Sequence, residues 1–521
     1  MSASNKKKLR NAEKAEKLTE RQVAAQKEAK KTKIYTAIFV IITAILIVAA
    51  LTSAADQIID KTGIRQKNSI AMTVGDEKIT APEMTYFFVD AVSNFCNNNA
   101  QLVSILIDPS TPLNEQPYLY DSSITWADYF LSIAQSNAEY AYTYCAAAEA
   151  AGHTLTEAEQ QELDMYSALL MQYAAENGST DLESFLKANY GEFATLETFN
   201  VYQEKIAMAN SYRLAYANTL NFDDAAIDAA IAADPDKYAS FTYHSYLIST
   251  SHFLTDGTVN ADGIASYSDE EKAAALADAE NAARSIIEAA PDSVEAFDAA
   301  IAALSFNAEI EGAKSTKNTN ILYTSIDPSR ANWLAQQSES GTVDYVPYEV
   351  TDADGNVTVN GYYVMYYIGR NDNDFTLPNV RHILISAEDG REKAEAILDE
   401  WKNGDANEDT FAALAAEHST DTASAQNGGL ITDILPGQTV VEFNDWCFSE
   451  RQVGDTEVIE SEFGFHIMYF AGRSDKVYVD IIVSDALYNA EMERWYADLH
   501  ATYPVTLGSS KYLPMNMSLG A

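Results

Sequence analysis

Two of the seven histidines in this 521-residue chain stand inside short apolar runs: His382 in Val380-Arg-His-Ile-Leu-Ile385 and His466 in Phe463-Gly-Phe-His-Ile-Met468. Both runs read as strands. A lone strand histidine is usually a core residue with its hydrogen bonds satisfied. Imidazole is also the side chain best suited to donate or accept a proton near neutral pH, so the pair is the first candidate for chemistry. Other chemistries find no residues. Cys96, Cys145 and Cys447 are far apart, odd in number and without metal-ligand spacing, and read as buried thiols. Cys447 sits between Trp446 and Phe448 on an apolar helix face, which argues against a covalent role. There is no phosphate-cradling glycine loop, no His-Glu-x-x-His and no serine elbow. Asp352-Ala-Asp-Gly-Asn356 lacks the downstream glutamate of a calcium loop and reads as a hairpin turn, as does Thr255-Asp256-Gly257. Neither metal nor cofactor is expected.

Two further blocks lie between the histidines: His418-Ser-Thr-Asp-Thr-Ala-Ser-Ala-Gln-Asn-Gly-Gly429 and Gly437-Gln-Thr-Val-Val-Glu-Phe-Asn-Asp-Trp-Cys-Phe448. In this order the four blocks resemble the parvulin family of peptidyl-prolyl isomerases over residues 378–474. The resemblance implies that His382 and His466 come from adjacent central strands and share a hydrogen-bonded network. It implies that Asp421 completes that network, or Thr422 if the match shifts by one residue. Phe443 is then the floor of a proline pocket lined by Ile431, Thr439, Phe448 and Phe465. Two departures stand out: Thr439 where the family commonly has Met, and Leu430 after Gly428-Gly429 where Asp is common. No basic cluster suited to phosphate lies nearby, so selectivity for phosphorylated Ser/Thr-Pro is not expected. An X-Pro bond turns over slowly because the amide has partial double-bond character. Such an enzyme needs a grip on the proline ring and a polar cradle that binds the twisted amide better than either planar form.

The histidine-bearing segments have partners upstream. Gly361-Tyr-Tyr-Val-Met-Tyr-Tyr-Ile-Gly-Arg370 matches Gly464-Phe-His-Ile-Met-Tyr-Phe-Ala-Gly-Arg473, and Tyr243-His-Ser-Tyr-Leu-Ile248 aligns with Val380–Ile385. Asn332-Trp333 aligns with Asp445-Trp446, and Phe297 with Phe411. Two related α/β modules in tandem are expected, at 238–372 and 378–474. The first is degenerate: Ser245 stands at the His382 position, Tyr363 at the His466 position, and His244 is displaced by one onto the other strand face.

Before the modules, residues 71–235 read as helical after a small entry hairpin. Thr80-Ala-Pro-Glu83 supplies an N-cap, an early proline and an acid at the third position. This region loosely resembles the chaperone domain of PrsA-like and SurA-like foldases. In those families the segment after the isomerase returns to complete that domain, a task that falls here to 476–521. The segment opens with strand-like Val-Tyr-Val-Asp-Ile-Ile-Val, and residues 268–304 read as one Ala-rich helical stretch.

The fold class expected is therefore α+β, preceded by a transmembrane helix. Residues 34–54 carry an 18-residue uncharged run, Ile34–Leu51, about 27 Å of helix. Residues 1–33 hold 11 basic and 4 acidic side chains and are expected to stay in the cytoplasm, which puts the rest outside a single-pass signal anchor. A cleaved signal peptide is the alternative, given Thr52-Ser-Ala-Ala55. The whole chain carries −43; the first 33 residues contribute +7, leaving −50 for the remainder. So acidic a body repels phosphate, and nucleic acid is not an expected partner. Expected partners are unfolded or partly folded secreted polypeptides with X-Pro bonds. The function expected is an extracytoplasmic peptidyl-prolyl isomerase and chaperone; the alternative is a non-catalytic holdase on the same fold.

Overall fold

The computed structural model describes residues 6, 7, 10 and 63–519, apart from 255–256, 260–264, 308–309, 311, 352–354, 387 and 389. The expected anchor at 34–54 lies outside the described residues, as do most of the basic tail and parts of the two Asp-Gly turns. Among the described residues no helix is long and apolar enough to cross a membrane. The described residues divide into two compact units, one running to Leu220 and resuming at Met492, the other comprising residues 221–491.

The first unit begins with the hairpin β1 (Ile70–Val74) and β2 (Glu77–Thr80) and continues into helix α1 (Ala81–Asn98). Thr80 caps α1: its backbone N–H donates to Glu83 at 2.7 Å, and its hydroxyl accepts from the Glu83 N–H. Helices α2 (Trp126–Ala151), α3 (Glu157–Glu176), α4 (Leu182–Tyr190) and α5 (Leu196–Ala217) follow. Their core is aromatic, with Tyr86 stacked on Tyr202 and Phe130 on Trp126.

The second unit opens with α6 (Asp224–Ala233) and then builds a module from β3 (Ser240–Ser249), α7 (Asp269–Glu288), α8 (Val294–Ala302), β4 (Thr316–Leu322), α9 (Pro328–Ala335), β5 (Val343–Thr351) and β6 (Val357–Asn371). The Ala-rich stretch is thus two helices, because Pro291 cannot continue the first. A second module repeats the plan with β7 (Thr376–Ile385), α10 (Gly390–Asn403), α11 (Glu408–His418), β8 (Leu430–Ile431), α12 (Val441–Phe448), β9 (Thr456–Ser461) and β10 (Gly464–Val477). The sheet orders are β4-β3-β6-β5 and β8-β7-β10-β9.

The registers agree residue for residue. Ser245 opposes Met365 in the first sheet as His382 opposes Met468 in the second, and both central pairs slip at the same place, beside Gly369 and Gly472. Each sheet lies between a helix pair and a single helix. In the second module Ile383, Ile385, Ile467 and Tyr469 pack on α10 and α11, while Val380, Met468 and Phe470 pack toward α12. The period of two along β7 and β10 therefore turns His382 and His466 to the α12 face.

The chain returns through α13 (Tyr478–Thr502) and β11 (Val505–Leu507), which pairs with β1. Two expectations are corrected here. Val-Tyr-Val-Asp-Ile-Ile-Val is helical from Tyr478, because Val479, Val483, Ile482 and Ala486 recur at three- and four-residue spacing against Ile227 of α6. For the same reason the helical unit ends at Leu220, not at 235, and its returning part starts at Met492, not at 476. Within the first unit Trp495 lies 3.8 Å, ring to ring, from Tyr216.

Candidate active site

The loop between α11 and β8 is fastened to β7 along its length. Thr420 N–H donates to the Leu384 carbonyl at 2.8 Å, Leu384 N–H to the Ser419 hydroxyl at 3.1 Å, and His382 N–H to the Gly429 carbonyl at 2.9 Å. Arg381, paired with Glu408, donates to the carbonyls of Asn427 and Gly428. Gly429 has φ +72°, and a Cβ there would come within 2.2 Å of the His382 carbonyl oxygen, so only glycine lets loop and strand meet.

This fastening sets Asp421 at the start of a helical turn, Thr422–Ala425, with its carboxylate 2.8 Å from His382 Nε2. Ser424 Oγ lies 3.0 Å from the same nitrogen and donates to the same carboxylate oxygen. His382 Nδ1 is 3.3 Å from His466 Nδ1, and His466 Nε2 is 2.7 Å from Ser461 Oγ. His382 and His466 are only 4 % and 5 % exposed, so their nitrogens must find partners within the protein.

One assignment of protons satisfies every contact. Burial works to raise the Asp421 pKa, but hydrogen bonds from Ser424 and His382 outweigh it, and the carboxyl is held below its ordinary value. As a carboxylate Asp421 only accepts, so His382 donates from Nε2 and accepts at Nδ1. His466 then donates from Nδ1 and accepts at Nε2 from the Ser461 hydroxyl. Burial lowers the pKa of both imidazoles; that of His466 falls to about 4, helped by neighbouring His382. Both rings are neutral at pH 7, and the line Ser461→His466→His382→Asp421 is polarised in one direction.

Phe443 of α12, 2 % exposed, stands edge-on to both imidazoles, its centroid 5.3 Å from that of His382 and 5.5 Å from that of His466. Ile431 packs against the same apolar cluster. Thr439 precedes α12, and its hydroxyl is buried with no hydrogen-bond partner among the described residues. One of the expected pocket residues lies elsewhere. Phe465 neighbours His466 in β10, so alternation sends it to the opposite face, beneath the Arg391 guanidinium. Phe448, like Ile431, packs against the cluster around Phe443, and its ring also meets Phe375, 5.6 Å away. Of the two alternatives in the loop, Asp421 reaches His382 while Thr422 is exposed.

Ser424 and Ser461 did not emerge from the sequence. Ser424 follows Asp421 by three residues across a helical turn. Ser461 stands just before the two-residue turn joining β9 to β10, which folds it back beside His466. Those spacings were the available signals. At the corresponding place in the first module, Ser245 takes a hydrogen bond from Asn318, and the Arg330 guanidinium lies 4.2 Å over the Tyr363 ring. His244 bonds Ser315 on the other face.

Paired imidazoles, a carboxylate at one end and an aromatic floor define a class of site, and residues 382–472 match the family model described as Rotamase: PPIC-type PPIASE domain. This segment of the chain belongs to that family. It is 34 % identical over 98 residues to foldase protein PrsA 1 of Listeria innocua, covering 19 % of this chain and 31 % of that one. It is 38 % identical over 97 residues to the chaperone SurA of Chromohalobacter salexigens, covering 18 % and 22 %. The solution structure of the parvulin of Nitrosopumilus maritimus is 35 % identical, covering 19 % of this chain and 98 % of that one, with a TM-score of 0.17. The chain thus spans about a third of the foldase and under a quarter of the chaperone.

Proposed function

We propose that the protein is a peptidyl-prolyl cis-trans isomerase joined to a chaperone, acting on unfolded secreted polypeptides outside the cytoplasm. The observation that carries this reading is the hydrogen-bonded line from Ser461 through both imidazoles to Asp421, with Phe443 edge-on to the two rings. A proline ring seated on Phe443 would bring its amide over the imidazole pair. Neutral, fixed imidazoles favour a twisted amide without forming a bond to it, and binding that state more tightly than the planar ones is sufficient for catalysis. The names of the relatives, foldase and chaperone, support the broader role.

The first module, with Ser245 and Tyr363 at the histidine positions, is a degenerate parvulin-like module without isomerase chemistry; its matching sheet order and register support that descent. The uncharged run within 34–54 anchors the chain, with the basic tail inside and the acidic body outside. The test is prolyl isomerisation by the full chain beside the double variant His382→Ala, His466→Ala; activity present in the first and absent in the second is expected.

A holdase is the second reading. Met165, Leu169 and Tyr173 stand exposed at four-residue spacing along α3, an apolar stripe suited to holding unfolded chains. Suppression of client aggregation by a protein that accelerates no X-Pro bond would favour it.

A further inference from the structure

The two modules of the second unit meet along a cleft of about 380 Å³ that the chemistry above leaves unused. Asn320 and Asn371 line it from the first module, Asn444 and Arg473 from the second, and Phe375 and Phe448 supply aromatic surface.

Of the four asparagines that line it, Asn373 uses both ends of its amide within the fold, on the Ser240 hydroxyl and the Tyr238 carbonyl, and the other three are tethered by their oxygens. Asn371 Oδ1 accepts from the Asn373 N–H at 2.9 Å, and Asn444 Oδ1 accepts from the Gly437 N–H at 2.8 Å. Asn320 Oδ1 accepts from the Thr242 hydroxyl at 3.2 Å, while that hydroxyl accepts from the Asn320 N–H at 3.1 Å. A backbone N–H can only donate, which commits the oxygen ends of Asn371 and Asn444; at Asn320 the hydroxyl that takes the backbone N–H gives its own proton to Oδ1, and in all three the NH₂ group keeps donors for a ligand. Among the described residues only Asn444 of the three has a further contact at that end, a 3.5 Å approach to Asp445 at the limit of hydrogen bonding. Arg473 gives one donor to the Thr376 carbonyl at 2.7 Å, and a guanidinium has four more. Donors above aromatic faces, with the Asp445 carboxylate as an acceptor beside them, call for a ligand that carries regularly spaced acceptors and some donors on an apolar body. An extended polypeptide offers a carbonyl about every 3.3 Å, with side chains between.

The cleft and the proposed proline site share one helix. Phe443 of α12 faces the imidazoles, whereas Asn444 and Phe448, four residues apart and so on one face, turn to the cleft. A helix is about 10 Å across, a span that about three extended residues cover. We propose that this cleft holds the stretch of substrate polypeptide roughly three to six residues from the isomerised proline, by its main-chain carbonyls. The inference rests on the isomerase reading and gives that site a second, sequence-tolerant grip.

The test uses the full chain and two substrates: a tetrapeptide around one X-Pro bond, and a twelve-residue peptide with the same centre and apolar flanks. Asn320→Asp with Asn371→Asp keeps both committed acceptors and replaces both donors with anionic oxygens. Arg473→Gln removes the cation without touching those turns. For the unaltered protein, kcat/KM should favour the long peptide by about tenfold, the size of one or two net hydrogen bonds. That ratio should fall below about threefold in each variant. No preference in the unaltered protein, or an undiminished one in both variants, overturns the proposal. If neither peptide is isomerised, the isomerase reading fails, and anisotropy of the labelled long peptide decides on the cleft. Weaker binding by the Asp variant upholds it, and equal binding overturns it.

Discussion

At the scale of single residues the site depends on two imidazoles staying neutral. The His466 pKa falls from an ordinary 6.5 to about 4, and that of His382 is also lowered. An unfolded chain therefore takes up protons between those values that the folded domain refuses, so stability is complete above about pH 6.5 and is lost as pH falls toward 4. At roughly 1.4 kcal/mol per pH unit, His466 alone costs the domain about 2 kcal/mol at pH 5 relative to pH 7.5. Hydrogen-exchange protection of the β7 and β10 amides should drop by that amount, and His466→Gln should flatten the dependence. The two rings also act as a unit: His382→Asn and His466→Asn should each lower kcat/KM at least about tenfold, and the double variant little further. Phe465 shows what the sequence already held. Alternation along β10 forbids it the face of His466, although a motif match alone admits it. The proton direction was not legible, because it follows from which imidazole nitrogen faces Asp421, and the Ser461 hydroxyl that closes the line is brought close only by turn geometry.

At the scale of elements the loop 419–429 holds the carboxylate against the strand, and glycine is what permits the contact. Gly429→Ala should destabilise the second module by more than about 1 kcal/mol and lower activity at 25 °C, because the new Cβ must displace the His382 carbonyl. Gly437→Ala is the control: φ is +77°, but nothing lies within 4 Å of a Cβ, so the cost is backbone strain of about 1–2 kcal/mol with activity per folded molecule retained. Thermal unfolding beside the isomerisation assay separates the two. Helix capping was readable for α1, from Thr80-Ala-Pro-Glu83. The start of α13 was not, since its β-branched residues favour strand and only packing on Ile227 decides for helix.

At the scale of the whole molecule the repeat was legible through matched motifs, while the unit boundaries were not, because they depend on contacts of α6 with a segment some 250 residues later. The C-terminal segment is integral to the first unit. Trp495 stacks on Tyr216 and touches Tyr144 and Tyr212, and β11 pairs with β1. Trp495→Ala should weaken hydrogen-exchange protection of α2 and α5 by about 2–3 kcal/mol while leaving the isomerase site intact.

The most direct measurement follows cis-to-trans conversion of an X-Pro peptide by the full chain and by His382→Ala, His466→Ala. Acceleration by the unaltered protein, reduced at least about tenfold in the variant, is the result this account predicts. Equal rates for the two proteins, whether both fast or both at the uncatalysed level, would contradict it.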